Sequence, residues 1–462
     1  MKMLSRKIVC MCVALCSIGT MLGGCAEKKT AESDKITLTL WTKPTQDAKD
    51  YVVAMHDRTM EALRKEFPDI NFEEKIPPQG GTDYRQEYDK ALMAGTAPAF
   101  TDVFSYTDIP SRIENETIAD ITKYVADWDL KKEGKLIDTF DDAISKDGKW
   151  YAIPYKAYTQ ATLVGKKPVE AAGGDMNNLP STWKEFAEFG EKATDLSIPR
   201  LGYAMLGMDW CAWPYTAWVW SAGGDMVEKN SDGTYRIAFN DEAGVDAAEF
   251  LNQMIWKYKM TQKDVLLGLE DLRKLSLNGT ACFAWMNFAE LKKETIEDNG
   301  LSRTDFSVMP MPVKDSSIPR PALSGGEVVT FNPKLTEAEL EAAIKVAKWY
   351  YFSDESMQRN CDAIKEFGLN DTYIPGRVDW YERKLQANEW LTDEQKQALQ
   401  SMGENAKAEP YCGHWSDLKT ELIAPLQKIY LTEGISRDEI KKLLDECADK
   451  LYTLYPETFK KQ

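Results

Sequence analysis

The side chains of this 462-residue chain that could do chemistry are carboxylates and aromatic rings rather than imidazoles. The sequence contains two histidines, His56 and His414, and none of the H-E-x-x-H, G-x-S-x-G, P-loop or G-x-G-x-x-G patterns. Histidine-based catalysis and a histidine-rich metal centre are therefore not expected, and we expect no metal or cofactor. The 74 aspartates and glutamates always offer a pair suited to glycoside hydrolysis, so that activity stays open.

Tryptophan and tyrosine are the second group of side chains that could bind a ligand. The chain contains 14 tryptophans and 20 tyrosines. An indole offers a flat apolar face and one N–H, which suits the C–H face of a sugar ring with its polar rim. For any single tryptophan, packing in the core is the favoured interpretation. In the densest cluster, three- and seven-residue spacings fit one face of a helix. Helix packing is favoured there, and an aromatic subsite for a longer glycan is the alternative. The cluster comprises Trp210, Trp213, Tyr215, Trp218 and Trp220.

The net charge of −17 indicates which partners this chain avoids. A strongly acidic chain repels nucleic acid and anionic lipid, and it gains solubility. Together with the aromatic content, this charge argues against phosphate or carboxylate ligands, which prefer arginine and helix N-termini. Five cysteines follow residue 25 without any C-x-x-C pair, so we expect mostly small buried thiols, with room for one disulfide.

Strand and helix patterns alternate in the first hundred residues. Alternating strand patterns occur at 36–41 and 69–76 and a short one at 102–104, with helical spacing at 52–63 and 86–93 between them. This order is typical of an open α/β sheet, in which ligands lie beyond the carboxyl ends of the strands. The segments just after Leu40 and Phe104 are therefore the first expected ligand sites.

Later parts of the chain carry clear helix signals. Thr182 and Glu185 have the three-residue spacing of a capping box at the start of a helix. Amphipathic helices are predicted around 245–258, 340–351 and 440–454. No repeat or low-complexity linker separates these segments, so short ordered crossings must join any domains.

The N-terminus has the features of a secretory signal. Lys2, Arg6 and Lys7 precede an uncharged apolar run from Ile8 to Leu22, which ends in Leu22-Gly23-Gly24-Cys25. The pattern resembles a bacterial lipoprotein signal, in which the cysteine receives lipid and becomes the first mature residue. The resemblance implies a signal peptide at 1–24, a lipid anchor at Cys25, a tether at 25–35 and a place on the outer face of the cytoplasmic membrane. The alternatives are an uncleaved membrane anchor, although the run is short for one, and a free Cys25 after an ordinary cleavage site.

Motifs spread over nearly all of the mature chain resemble those of the extracellular solute-binding proteins of ABC importers, family 1, which includes the maltodextrin-type sugar binders. Their order and spacing carry the resemblance more than any one of them does. They are Leu38-Thr39-Leu40-Trp41-Thr42, Ala94-Gly95-Thr96-Ala97-Pro98 with Asp102-Val103, Gly148 to Tyr155, Pro180 to Phe186, Ala222-Gly223-Gly224-Asp225, Asn278-Gly279-Thr280-Ala281 with Trp285, Ser324-Gly325-Gly326, Tyr373-Ile374-Pro375-Gly376-Arg377, and Trp415 ahead of Gly434.

The resemblance implies an α/β fold with two lobes, of the type II periplasmic-binding-protein kind, joined by short hinge crossings. Lobe one would comprise 36–155 and 326–372, and lobe two 156–325 and 373–462. One departure concerns Ala99-Phe100-Thr101, which stands between Pro98 and Asp102 where the family usually places the aspartate directly. We therefore expect a longer loop there.

The family pattern also implies ligand contacts in the loops beyond the strands and at the crossings. For Trp41, Trp285 and Trp415, core packing is the alternative, and for Asp108, Glu327 and Arg377 it is a salt bridge. Gly325 and Gly326 would let backbone amides approach a ligand. The expected contacts are Trp41, Thr42, Lys43, Ser105, Tyr106, Asp108, Tyr155, Trp285, Asn287, Gly325, Gly326, Glu327, Tyr373, Arg377 and Trp415.

These expectations describe a monomeric, lipid-anchored receptor that captures a carbohydrate, in particular an oligosaccharide, and delivers it to an ABC permease. It would act by ligand-stabilised closure of the lobes and would not be an enzyme. One alternative is a receptor for a non-sugar cation such as a polyamine, held by aromatic rings and carboxylates. The other is a surface glycoside hydrolase with two carboxyl groups about 5–9 Å apart in its cleft.

Overall fold

A computed structural model describes residues 35–78, 81–291, 293–404 and 406–461. The signal, the lipid anchor at Cys25 and most of the tether lie outside these residues. The part Ile36–Gln462 forms one compact unit. Its strands are β1 (Ile36–Leu40), β2 (Ile70–Glu74), β3 (Phe100–Ser105), β4 (Ser145–Lys146), β5 (Lys149–Trp150), β6 (Ile153–Gly165), β7 (Leu201–Ala204), β8 (Val227–Lys229), β9 (Tyr235–Ile237), β10 (Ala281–Asn287), β11 (Phe306–Met309), β12 (Leu323–Phe331), β13 (Ile374–Pro375) and β14 (Lys407–Ala408).

Helices surround the strands. They are α1 (Asp50–Glu66), α2 (Gly81–Ala94), α3 (Ile109–Glu114), α4 (Thr122–Val125), α5 (Asp129–Lys132), α6 (Asp141–Ile144), α7 (Lys166–Ala171), α8 (Trp183–Ala193), α9 (Ala212–Ser221), α10 (Glu242–Trp256), α11 (Leu269–Leu277), α12 (Lys293–Asp298), α13 (Glu337–Phe352), α14 (Asp354–Phe367), α15 (Tyr381–Ala387), α16 (Asp393–Glu404), α17 (Trp415–Leu431) and α18 (Arg437–Leu454). Short 3₁₀ turns cover Tyr106–Asp108, Phe288–Glu290, Arg303–Asp305 and Val378–Trp380.

The long strand β6 organises the main sheet. Its first half pairs antiparallel with β12 and with β13, and its second half pairs with β10 and β11. Strand β12 in turn pairs with β3 and β14, while β10 continues to β7. Because β6, β12 and β13 lie side by side, the chain passes between the two ends of this sheet through adjacent strands.

The buried apolar side chains form separate clusters toward the two ends of β6. One buried cluster draws on 38–153 and 329–352, and it contains the inner faces of β1 and α13. The largest cluster draws on 164–323 and 412–459, where α8, α9, α10, α17 and α18 pack together. A third cluster, which includes Tyr106 and Phe140, adjoins the start of β6. The predicted amphipathic helices contribute their apolar faces to these clusters.

Several element predictions are confirmed. The helix at α8 begins with a capping box, in which Thr182 accepts a hydrogen bond from the Glu185 N–H at 3.3 Å and Glu185 accepts one from the Thr182 N–H at 3.0 Å. The longer loop expected before Asp102 is not present. Strand β3 begins at Phe100, and the Ala99 N–H is bonded to the Thr39 carbonyl at 2.8 Å, so the extra residues extend the strand.

The cysteine expectation needs one correction. Cys211, Cys282, Cys361, Cys412 and Cys447 are all buried free thiols. No disulfide forms among these five described cysteines.

Candidate functional site

A cavity of about 850 Å³ opens beside the start of β6. Its walls come from α1, the end of α13, α14, the turn after β10 and the segment that leads into β13. Aromatic side chains supply much of its surface, and they are Tyr51, Tyr155, Tyr350, Tyr351, Phe367 and Tyr373. This is a concave site with both apolar faces and polar groups, the combination that small-molecule sites favour.

The three adjacent strands position a charged pair, of which Lys156 lines the cavity. Lys156 of β6 lies opposite Glu327 of β12 on one side and Pro375 of β13 on the other. Lys156 Nζ lies 2.8 Å from a Glu327 carboxylate oxygen, and the Tyr155 hydroxyl donates to that same oxygen at 2.5 Å. Burial opposes the Lys156 charge, but Glu327 outweighs it and raises the pKa of the lysine. The ammonium group is therefore charged at neutral pH.

Tyrosine rings lie on either side of this pair. Lys156 Nζ is 4.8 Å from the ring centroid of Tyr373 and 5.4 Å from that of Tyr155. The Tyr155 and Tyr351 rings are 4.9 Å apart, and the Tyr351 hydroxyl donates to Asp102 at 2.9 Å. Burial raises the pKa of the Asp102 carboxyl, of Tyr155 and of Tyr351. The tyrosines thus present neutral hydroxyls and ring faces.

From Tyr373 the aromatic contacts continue into the part of the chain around α9 and β10. Tyr158 lies 6.2 Å from Tyr373 and 6.2 Å from Trp213, which lies 4.8 Å from Trp285, each measured between ring centroids. We call these rings, with Tyr155 and Tyr351, the aromatic row. The Nε1 atoms of Trp213 and Trp285 are buried and have no hydrogen-bond partner among the described residues. Such donors are costly to leave unpaired, and neither tryptophan lines the cavity.

The structure brings together some of the predicted contacts. Tyr155 and Tyr373 line the cavity, Glu327 accepts the Tyr155 hydroxyl from behind the lining, and Trp285 ends the aromatic row. The predicted role of the glycines takes a different form, because rings occupy the space beside them. A Cβ on Gly325 would lie 2.2 Å from the Tyr158 ring, and one on Gly326 would lie 2.3 Å from Phe140.

A second group of predicted contacts shapes the backbone near the strand ends. Ser105 and Asp108 form the capping box of a 3₁₀ turn, and Asp108 also pairs with Arg85 at 2.9 Å. Asn287 is buried and accepts a hydrogen bond from the Ala289 N–H. The predicted residues Trp41, Thr42 and Lys43 do follow β1, where Trp41 packs on the rings of Tyr84 and Tyr88 and Lys43 is exposed. None of these residues lines the cavity.

Two further predicted contacts are buried by the protein itself. Tyr106 stacks on Phe140 at 4.0 Å and donates its hydroxyl to the Glu409 carbonyl at 2.8 Å. Trp415 is fully buried, and its Nε1 donates to the Glu409 carboxylate at 2.7 Å.

Arg377 has a structural environment of its own. It is 6% exposed and holds Asp354, Asp379 and the Phe352 carbonyl. These ion pairs join the end of α13 and the start of α14 to the segment after β13.

Sequence reasoning missed Lys156, Tyr158 and Tyr351. Lys156 is the single charged residue of the otherwise neutral strand β6, and a lone charge in a buried strand was the available signal. Tyr351 ends the amphipathic helix predicted at 340–351, and that spacing indicates packing rather than ligand contact. The tryptophan cluster divides: Trp218 and Trp220 are buried in α9, whereas Trp213 joins the aromatic row and Trp210 is 45% exposed.

The described residues were found to lack two further features. No group of three or more histidine, cysteine or acidic side chains there is placed to hold a metal ion. None of the helices described is both long and apolar enough to cross a membrane.

Comparisons with known proteins agree with this architecture. The family model described as bacterial extracellular solute-binding protein matches residues 50–356. The maltotriose-binding protein of Pyrococcus abyssi is 25% identical over 338 residues, which cover 69% of this chain and 63% of that protein, less than two thirds of its length.

Solved structures show the same fold. An ABC substrate-binding protein from Listeria monocytogenes in complex with cycloalternan matches with a TM-score of 0.72 and 18% identity, over 92% of this chain and 100% of that one. A solute-binding protein from Thermotoga lettingae bound with α-D-tagatose matches with a TM-score of 0.71 and 18% identity, over 91% and 99%. The predicted α/β fold of periplasmic binding proteins is confirmed, and this chain belongs to the family of bacterial extracellular solute-binding proteins.

Proposed function

We propose that this protein is a lipid-anchored receptor of an ABC importer, which binds an oligosaccharide in the cavity beside the crossing strands and closes over it. The aromatic row is the observation that carries this proposal. Three of its six rings, those of Tyr155, Tyr351 and Tyr373, line the cavity beside Lys156, and the other three continue to Trp285, which is 3% exposed. Ring faces suit the C–H faces of successive sugars, and the charged pair and hydroxyls suit their polar rims.

The division of the buried apolar clusters supports closure. The buried clusters of 38–153 with 329–352 and of 164–323 with 412–459 support the two proposed lobes, 36–155 with 326–372 and 156–325 with 373–462. Strands β6, β12 and β13 would act as the hinge between them. A ligand that touches Tyr351 on one side and Tyr373 on the other would stabilise the closed arrangement through contacts that the open one lacks.

The lipid anchor would determine where this receptor is located. Lipid on Cys25 would hold the binding unit at the outer face of the membrane, where an ABC permease would receive the sugar. Tethering raises the effective concentration of receptor at the permease without any new contact. This part of the proposal rests on the sequence 22–25.

A thermal-shift screen of residues 26–462 tests the proposal against its alternatives. We expect neutral or acidic oligosaccharides to raise the melting temperature, because a ligand that binds only the folded state stabilises it. Stabilisation by polyamines alone would contradict carbohydrate binding. As a control, the same glycans are incubated with the protein and then analysed by chromatography for cleavage. Cleavage by the wild type that is lost in Glu327→Gln would indicate a hydrolase instead.

A further inference from the structure

Strand β3 carries a β-bulge where it passes the cavity. It pairs with β12 through Thr101 on one side of the bulge and through Phe104 on the other, whereas the corresponding partners in β12 are only two residues apart, at Thr330 and Val328. Asp102 lies within this bulge. An extra residue in a strand turns side chains out of the regular alternation, and such bulges are frequent next to active sites.

Strand β6 carries a second bulge on the other side of β12. Lys156 lies opposite Glu327, but the next residue of β12, Val328, lies opposite Pro154, so Tyr155 is the extra residue. Because both bulges adjoin Val328, the extra residues of β3 and β6 come close to one another. Tyr155 lines the cavity, so the two irregularities occur at its wall.

The side chain of Asp102 holds one ring of this wall from behind. It accepts a hydrogen bond from the Tyr351 hydroxyl at 2.9 Å, although Asp102 itself does not line the cavity. The Tyr351 ring lies 4.9 Å from the Tyr155 ring, whose hydroxyl donates to Glu327 at 2.5 Å. Two carboxylates behind the lining thus each hold one tyrosine by its hydroxyl. A hydrogen bond to a charged acceptor is stronger than one between neutral groups, so it constrains the ring.

We infer that Asp102 is a positioning residue of the binding site, which fixes the Tyr351 ring against Tyr155 so that the two rings form one preorganised face for the ligand. This inference rests on the proposed carbohydrate-binding function. Asp102 acts through Tyr351 and does not touch the ligand. A side chain that is already held in its bound orientation loses less conformational freedom on binding, so the hydrogen bond increases affinity.

Two single variants and their combination test the inference in the protein of the thermal-shift screen. Tyr351→Phe removes the hydroxyl and keeps the ring, and Asp102→Ala removes the acceptor. We expect each to weaken calorimetric binding of the most stabilising glycan about fivefold. The double variant should weaken it no further, because both changes delete the same hydrogen bond. Tyr351→Phe decides the question if Asp102→Ala impairs folding.

Asp142→Ala is the matched control. Asp142 accepts the Tyr411 hydroxyl at 3.5 Å, and neither of these residues lines the cavity. This variant should therefore bind the glycan like the wild type.

A pH profile separates positioning by a charged carboxylate from a packing role. Burial raises the pKa of Asp102, and protonation removes the charge that strengthens the bond from Tyr351. We expect Asp102→Asn to bind about threefold more weakly than the wild type at about pH 7.5, and this difference to shrink as the pH falls to about 4.5.

The ratio of these two affinities isolates Asp102, because the titratable groups that face it are the same in both proteins. They are Tyr84 of α2, Tyr155 and Lys156 of β6, Glu327 of β12, and Tyr350 and Tyr351 of α13.

The other outcomes contradict the inference in distinct ways. Wild-type affinity in both Tyr351→Phe and Asp102→Ala would overturn it and leave carbohydrate binding intact. Fully additive losses in the double variant would overturn it as well, because Asp102 would then act through another group. A ratio of affinities that does not change with pH would overturn the role of the charged carboxylate. Binding of no glycan by the wild type would overturn the proposed function together with this inference.

Discussion

Burial makes each of the five cysteines of the binding unit an unreactive thiol. It raises the pKa of Cys211, Cys282, Cys412 and Cys447 to about 12, and it raises that of Cys361 as well. A thiol reacts as the thiolate, so these side chains are protonated and inert at pH 8.

Alkylation of residues 26–462 checks this directly. We expect mass spectrometry to find no modified cysteine in the native protein at pH 8 and five in urea without reductant. Two thiols that stay unmodified in urea until a reductant is added would indicate a disulfide. The native protein with reductant is the control, and its labelling should be unchanged.

At the scale of single residues, the sequence predicted the site in part. Tyr155 and Tyr373 could be found because they adjoin the crossings that the family motifs mark. Lys156 and Tyr351 could not, because their meeting depends on β6 lying beside β13 and on the end of α13 facing the same cavity. Trp415 shows the converse: its residue type suits a sugar, but its neighbours decide that it is buried.

The helix α8 illustrates stability at the scale of an element. Replacing Thr182 by alanine removes the side-chain oxygen that accepts the Glu185 N–H. We expect this loss of the cap to lower the free energy of unfolding by about 1 kcal/mol, measured by urea denaturation. Ser316→Ala, at an exposed loop position, is the control and should change it little.

The same cap predicts a pH dependence. Hydrogen bonds from the Ser181 and Thr182 N–H groups lower the pKa of Glu185 from its usual 4.5 to about 2. A carboxyl with a depressed pKa contributes stability above its unfolded pKa and loses it as the pH falls through the folded one. We therefore expect Glu185→Gln to be less stable than the wild type at pH 6, and this difference to shrink between about pH 4.5 and 2. A constant difference over that range would contradict the account.

Elements of this chain were largely predictable because their signals are local. The helical spacings at 52–63, 340–351 and 440–454 correspond to α1, α13 and α18, since an apolar stripe at that period must face a core. The error at Ala99–Thr101 arose from treating extra residues as loop. Phe100 and Thr101 instead pair with β12, so the strand includes them.

At the scale of the whole molecule, the arrangement depends on long-range pairings. Strand β6 contacts partners more than a hundred residues away in β10, β12 and β13. Neither composition nor periodicity encodes such pairings, and only the resemblance to a family made them predictable.

Carbohydrate binding at the cavity is the central claim, and Tyr373 tests it most directly. The glycan that stabilises the protein best would be titrated calorimetrically into the wild type, Tyr373→Ala and the control Tyr258→Ala, whose ring is half-buried outside the cavity. We predict that Tyr373→Ala weakens binding about tenfold, as loss of one ring face does. We also predict that Tyr258→Ala binds like the wild type. Wild-type affinity in Tyr373→Ala would contradict the account.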